Sequence, residues 1–475
     1  MKAANKNLHL SVKSRKYEQK GKIGTMEAKA MQTHFSNQEL NHLIIPLVIE
    51  QILAITVGLL DSLMVSQVGE AAISAVSLVD TVNVLLVGAF SALATGGAAI
   101  AGQYLGRQKA EKAGHAGEQL LLFMIEVSLL ITCIFYLGKG FVLNVVFGQV
   151  EADVAAYANT YYMIVEASIP FLAVYSAGAA LFRIMGNSEI SMWVSLVMNI
   201  INAAGNALLI FGFHMGVEGV AIPTLASRVF AAVAMMILLR QPSMTLQVEK
   251  LSLQHDHYII KNIVRFGVTN GLESSMFQLG KILLLSTVSV LGTASVAANA
   301  IGNTFGTFQC MAGNALGLAI VTVVSQCVGA GDYEQARFYT KKLLKMTYIC
   351  MSICIVAVYF SLPLFLRLYK ISAEAELYAR QIIWMHGFFG ILIWPLSFTL
   401  PQALRAAGDT KFTMIVSSVS MWTMRVGFGI LLGRYLGFGV VGIWMAMFVD
   451  WFMRIALFLP RFHGHRWETK ALEQD

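Results

Sequence analysis

Residues 41–66 read NHLIIPLVIEQILAITVGLLDSLMVS, an apolar run interrupted by only two carboxylates, Glu50 and Asp61. A helix that crosses the hydrocarbon core of a bilayer needs about 20 predominantly apolar residues, so this run is long enough to span one. Similar runs follow at roughly 73–101, 118–138, 157–181, 190–212, 217–239, 262–289, 293–325, 341–365, 380–403, 412–433 and 439–460. Composition supports the same reading: the 475 residues are 57% hydrophobic and 13% charged, with a mean hydropathy of +0.66, which leaves little chain for soluble domains. The expectation is an all-α integral membrane protein with twelve transmembrane helices. Ser36 and Glu39 have capping-box spacing just ahead of the first run and predict the start of its helix.

An internal repeat appears at an offset of about 223 residues. Gln103, Gly106, Glu111 and Ala113 recur as Gln326, Gly329, Glu334 and Ala336, while Glu50, Gly69, Gly216 and Gly219 recur as Glu273, Gly292, Gly439 and Gly442. Arg183 and Gly186 recur as Arg405 and Gly408 at 222. The matches are spread over both halves, which predicts two pseudo-symmetric six-helix bundles. An even number of spans per half makes the repeat parallel, with its axis along the membrane normal. The chain divides into an N-terminal tail (1–40), an N-lobe (41–240), a polar linker (241–261), a C-lobe (262–460) and a C-terminal tail (461–475).

With twelve spans both termini lie on one side, and basic residues choose it. Sixteen Lys and Arg, among them Arg107, Lys112, Arg240, Arg337, Lys341, Lys411 and Arg461, fall in the connections and C-tail on the terminal side, against Lys139, Arg367, Lys370 and Arg434 on the other. The positive-inside bias puts both termini in the cytoplasm and accounts for the net charge of +7 without a nucleic-acid partner. No signal-peptide h-region precedes the first span. The five cysteines lie in or beside apolar runs and read as packing residues.

Phosphate-loop chemistry is excluded by the lack of G-x-x-x-x-G-K-[ST]. The G-x-G-x-x-G string at Gly437, Gly439 and Gly442 falls between two apolar spans and reads as a tight interhelical turn. The pairs His255/His257 and His463/His465 lie in polar connections without ligands at zinc-site spacing, and Cys350 with Cys354 reads as packing. No nucleophile and base pair points to an enzyme. The expectation is a chain with no cofactor, no metal centre and no obligatory protein partner.

Intramembrane ionisable groups carry the functional signal, because a charge at the bilayer centre costs about 2.5–3.5 kcal/mol even on insertion scales. Asp61 has no basic residue near it in sequence, so it requires an aqueous cavity, a bound cation, a proton or a partner on another helix. Glu50 lies eleven residues earlier, on the same helix face and about 16 Å away. Pro46 removes a backbone donor and permits a bend in this first helix. In the fifth span Asn199, Asn202 and Asn206 form a polar stripe, suited either to a hard cation or to an interhelical hydrogen-bond seam, and Thr224 in the sixth adds a hydroxyl. Glu273 occupies the place of Glu50 in the second half and, with Lys281 two turns later, reads either as a substrate-facing acid or as half of a buried ion pair.

These features resemble the multidrug and toxic compound extrusion (MATE) family. The resemblance covers roughly residues 40–460 and rests on IPLVIEQILAITVGLLDSLMVSQVGEAAISAVSLVD, on QYLGRQKAEKA with its copy QCVGAGDYEQA, on FRIMGNSEISMWVSLVMNIINAAGNALLIFG, and on GVEGVAIPTLASR and ALRAAGDTK. It implies a V-shaped pair of bundles in a bacterial inner membrane and secondary antiport of organic cations or drugs against H+ or Na+. It also implies a cation or proton site at Asp61, Asn202, Asn206 and Thr224, with Pro46 as a conformational hinge and Glu50 and Glu273 as candidates for the substrate cavity. Two departures stand out. The fifth-span acid of the family is Asn206 here, and the tenth span, GILIWPLSFTLPQALR, has no acid to accompany Glu273. The alternative within transport is a flippase for a lipid-linked sugar or another amphiphile.

Overall fold

The computed structural model describes residues 35–146, 151–248, 251–368 and 371–473, and the regular structure among them is helical throughout. The expected tail over residues 1–40 lies almost wholly outside the described residues. Twelve helical passages follow the twelve apolar runs. In the N-lobe they are α1 Asn37–Val65, α2 Glu70–Gly106, α3 Ala110–Leu137, α4 Ala152–Glu166 continued by Ile169–Ile184, α5 Ser188–Gly212 and α6 Glu218–Leu239. In the C-lobe they are α7 over 257–289, α8 Thr293–Gly329, α9 Tyr333–Leu368, α10 Ala373–Ala406, α11 Thr410–Tyr435 and α12 Gly439–His463. Gly437 lies in the turn between α11 and α12 and Gly439 opens α12, in keeping with an interhelical turn.

Ten of these helices are individually long and apolar enough to cross a bilayer, and α4 makes an eleventh if its two pieces, bent by 45°, count as one span. The bend falls at Ser168, where Pro170 supplies no N–H to the carbonyl one turn earlier. α7 is the polar exception. Its Asn270, Glu273, Ser274, Gln278 and Lys281 line cavities instead of facing lipid, so the helix tolerates them. α7 also starts at His257, earlier than the apolar run, because the Asp256 carboxylate caps it by accepting from the N–H groups of Tyr258 (2.9 Å) and Ile259 (3.1 Å). The expected linker over 241–261 is therefore shorter and is docked on α3: Gln119 Nε2 donates to the Gln254 carbonyl at 2.9 Å, and Ser252 N–H donates to Glu118 Oε1 at 2.6 Å.

Each lobe has its own core. Val65, Val76, Tyr162, Val165 and Val220 join α1, α2, α4 and α6, whereas Met351, Ile355, Ile382, Phe448 and Trp451 fill an aromatic-rich C-lobe, with Phe389 and Phe448 stacked at 4.2 Å. Large apolar side chains such as Trp193, Phe211, Ile237, Phe360 and Phe388 are exposed on the outside, as expected where the solvent is lipid. Lipid tails provide no hydrophobic drive between helices, so close approach at small residues has to hold the lobes together.

That approach is made by the repeated motif itself. α2 and α8 cross at their C-terminal ends, where a Cβ on Gly106 would stand 2.0 Å from the carbonyl oxygen of Gln326, and a Cβ on Gly329 would stand 2.0 Å from that of Gln103. Around the crossing Gln103 Nε2 donates to the Ala406 carbonyl at 2.9 Å and its counterpart Gln326 Nε2 donates to the Ile184 carbonyl at 2.6 Å, each reaching into the opposite lobe. Gly106→Ala is expected to force the crossing apart. It should lower the melting temperature and increase maleimide labelling of a cysteine placed at the buried Ser325 in a cysteine-free background. Unchanged labelling would show that the joint absorbs the methyl group.

The expected C-terminal tail is not free. After α12 the chain folds under the same crossing, burying Trp467 and Leu472. Arg107 of the N-lobe donates to the carbonyls of Leu472 (2.6 Å) and Glu473 (3.0 Å), and Leu472 N–H donates to Gln103 Oε1 at 2.9 Å. Arg337 of the C-lobe lies over the Trp467 ring and pairs with Glu468 at 2.5 Å. Burial opposes ionisation of Glu468, but the hydrogen bonds from Arg337 and His465 outweigh it and hold the carboxyl below its ordinary range.

Candidate functional site

The first cluster lies inside the N-lobe, where α1, α5 and α6 meet. A Cβ on Gly205 of α5 would stand 2.7 Å from the Pro223 ring of α6, so only a glycine lets these two helices approach closely enough to bring the amide stripe of α5 beside Thr224. Asn206 is fully buried and its Nδ2 donates to Asp61 Oδ1 at 2.8 Å. Asn202 fits in two orientations. With its nitrogen toward α1 it donates to Asp61 Oδ1 (2.8 Å) and Oδ2 (3.3 Å) while its oxygen accepts from Thr224 Oγ1 at 3.1 Å. Turned over, its nitrogen donates to Thr224 Oγ1, which in turn donates to the Val220 carbonyl at 3.0 Å, and its oxygen faces the carboxylate. An ionised Asp61 favours the first orientation, and a proton or cation on Asp61 favours the second. The buried oxygen of Asn206 has no hydrogen-bond partner among the described residues, so the cluster holds an unused acceptor beside a carboxylate. Asn199, the third member of the stripe, has a buried Nδ2 without a partner among the described residues and makes no hydrogen bond to this cluster.

Pro46 lies within α1, which continues through it as one helix. The Leu43 carbonyl, one turn earlier, accepts from Ser188 Oγ at 2.6 Å, and the His42 carbonyl, which Pro46 leaves without a helical donor, lies 3.3 Å from the same hydroxyl.

Glu50 and Glu273 form two copies of one device. Glu50 Oε1 accepts from Arg183 at 2.6 Å and its other oxygen accepts from Ser191 Oγ at 3.2 Å, while Glu273 is held by both Nε and a terminal nitrogen of Arg405. The four residues are repeat partners. Glu50 borders neither of the two cavities of about 390 and 450 Å³ in this region. Glu273 borders a cavity of about 390 Å³ together with Arg405, so it is at once paired and cavity-facing. Lys281 is not its partner, since eight helical residues separate the two by about 12 Å along the axis.

The larger cavity, about 450 Å³, lies between the lobes, away from the α2–α8 crossing. α2 contributes Asp80, which accepts from Tyr161 OH at 3.3 Å, and the opposite wall carries Lys281, Arg425, Trp444 and Met447. Asp80, Lys281 and Arg425 are visible in the sequence as intramembrane charges, but their convergence on one cavity is not, because they lie on α2, α7 and α11. The buried Glu166 beside the α4 bend has no hydrogen-bond partner on either oxygen among the described residues, and nearby Arg228 donates to Ser168 Oγ at 2.6 Å.

Two parallel six-helix lobes around a central cavity, with an acid–amide cluster inside one of them, define a multi-pass membrane transporter. A model of the MatE family matches residues 46–208 and again 271–431, one match in each lobe, and the chain belongs to this family of multidrug transporters. It is 25% identical over 441 residues to the uncharacterized transporter YisQ of Bacillus subtilis, covering 90% of this chain and 94% of the relative. It is 23% identical to a probable multidrug resistance protein NorM of Thermotoga maritima, covering 69% and 71%. Among solved structures, an outward-facing MATE family transporter superposes with a TM-score of 0.80 at 18% identity over 89% of this chain and 95% of that one. That likeness establishes the twelve-helix fold, and the family's members are transporters and not enzymes.

Proposed function

We propose that this protein is a secondary active antiporter that exports small organic molecules, cationic drugs among them, in exchange for protons or sodium ions. The observation that carries this reading is the Asp61 cluster: one carboxylate, two amides and a hydroxyl, with the Asn206 oxygen left over. Such a set accepts either a proton on Asp61 or a hard cation between Asp61 and amide oxygens. The Asn202 amide turns with the charge on Asp61 and transmits it to Thr224 on α6. Coupling follows if the occupied and empty clusters favour different arrangements of the lobes, with Pro46 as the bending point of α1. The protein is assigned to the bacterial inner membrane by its family resemblance, with both termini in the cytoplasm on the strength of the Lys and Arg asymmetry. With that orientation the tight α2–α8 crossing closes the cytoplasmic end.

The test is efflux of a fluorescent organic cation from proteoliposomes under a sodium gradient and a pH gradient imposed separately. Efflux driven by one gradient names the coupling ion, and efflux driven by neither overturns antiport. A flippase for an anionic amphiphile is the second reading. It is favoured by Lys281 and Arg425, because with Glu50 and Glu273 held by arginines the larger cavity presents two cations against one acid, Asp80.

A further inference from the structure

Three basic residues lie well inside the C-lobe spans, Lys281, Arg425 and Arg454, and a fourth, Arg405, lies in the last turn of α10. Arg405 is neutralised by Glu273, and Arg454 by Asp450 at 2.8 Å. Lys281 and Arg425 make no ion pair among the described residues. Arg425 stacks over the Phe277 ring (5.2 Å to its centre) and places one nitrogen 2.9 Å from the thioether of Met447, a weak acceptor. Lys281 is exposed and makes no hydrogen bond among the described residues.

Both line the 450 Å³ cavity, with Asp80 across it on the other lobe. Two like charges within membrane spans, turned to one cavity and without an ion-pair partner among the described residues, are costly unless water or a ligand anion meets them. A guanidinium stacked on an aromatic ring keeps its in-plane N–H fork for a carboxylate or phosphate, and a neighbouring ammonium adds a point charge. The ring of Trp444, whose Nε1 is engaged by Asn299 Oδ1 at 3.0 Å, and Met447 supply apolar surface beside them. A cavity of this volume fits a drug-sized molecule.

We infer that the inter-lobe cavity is a two-pole substrate site, in which Lys281 and Arg425 bind the carboxylate or phosphate of an amphiphilic ligand and Asp80 faces its basic group where it has one. The inference rests on the reading that substrate passes through this cavity. It narrows the substrate class from simple organic cations to amphoteric or anionic amphiphiles.

The test uses the purified full-length protein and two dyes that differ only at the acid: rhodamine 110, with a free carboxylate, and its methyl ester rhodamine 123. Wild type is expected to bind the acid roughly tenfold more tightly than the ester or better. Lys281→Gln with Arg425→Gln should collapse that preference to about one, while Lys281→Arg keeps it. The ratio of the two affinities is insensitive to a general loss of folded protein. Equal affinity of wild type for both dyes, or a preference that survives the double substitution, overturns the proposal.

Dodecyl phosphate as competitor separates the sources. Displacement of rhodamine 110 by it supports a phosphate headgroup as ligand, and failure to displace alongside a retained acid preference supports a carboxylate drug. Efflux of rhodamine 123 by the unmodified protein in proteoliposomes reports the transport reading independently. An ester that is pumped without acid preference sinks only the anion pole, whereas acid preference without efflux of either dye sinks only transport.

Discussion

Asp61→Asn is expected to lower gradient-driven efflux by about a hundredfold or more, with insertion, yield and melting temperature close to wild type. The substitution is nearly isosteric, and the new amide oxygen still accepts from Asn206 Nδ2, now 2.8 Å from Asp61, so no buried donor is orphaned. What disappears is the negative charge. Without it the cluster offers only neutral oxygens, and neither a proton nor a sodium ion has differential affinity for one state of the lobes. A ligand without such a difference shifts nothing. The measurement is initial efflux rate in proteoliposomes at equal protein density, and wild-type rates in the variant would remove Asp61 from the coupling mechanism. Asn206→Asp is the complementary change. A second carboxylate against the first must share a proton or hold a cation, so half-maximal sodium stimulation should move to lower concentration. If the sodium dependence does not change, the α5 position does not contribute to ion binding.

The second large effect is expected at the paired glutamates. Glu273→Gln leaves Arg405 as an uncompensated buried cation and should cost about 3–5 kcal/mol of stability, as for other broken buried pairs. Glu50→Gln should do the same through Arg183. Replacing both partners, Glu273→Gln with Arg405→Gln, should recover much of the loss, because removing a whole pair removes the desolvation penalty as well. Thermal melts of the purified variants decide the matter: a double substitution as destabilised as the single one would show that Glu273 acts through something other than this ion pair. The same pair joins α7 to α10, so efflux is expected to fall with stability and not independently of it.

Much of this site was legible from residue spacing. The offset that matched Glu50 with Glu273 also matched Arg183 with Arg405, so both halves of the duplicated ion pair stood in the sequence as repeat partners. The missing step was that a carboxylate and a guanidinium more than 130 residues apart in each lobe meet, which depends on how the helices pack. The repeated Gln and Gly of QYLG and QCVG were equally visible, yet their meaning as the joint between lobes came only from the carbonyl contacts at Gly106 and Gly329. Docking of the C-terminal segment left a faint trace, the apolar Trp467 and Leu472 in an otherwise polar tail.

By itself the sequence determined the membrane class, the twelve spans and the twofold repeat, because hydrocarbon admits only backbone whose hydrogen bonds close within each helix and so makes long apolar runs unambiguous. It also placed Asp61, Asn202, Asn206 and Thr224 in one candidate set through family resemblance. Only the tertiary structure decided which charges are spent and which are available. Glu50 with Arg183, Glu273 with Arg405 and Asp450 with Arg454 are neutralised as pairs, while Lys281, Arg425 and Asp80 are left facing a common cavity. Charge in a membrane is governed by distance to its partner and to water, and distances between helices far apart in sequence are set by packing, not by the order of residues along the chain.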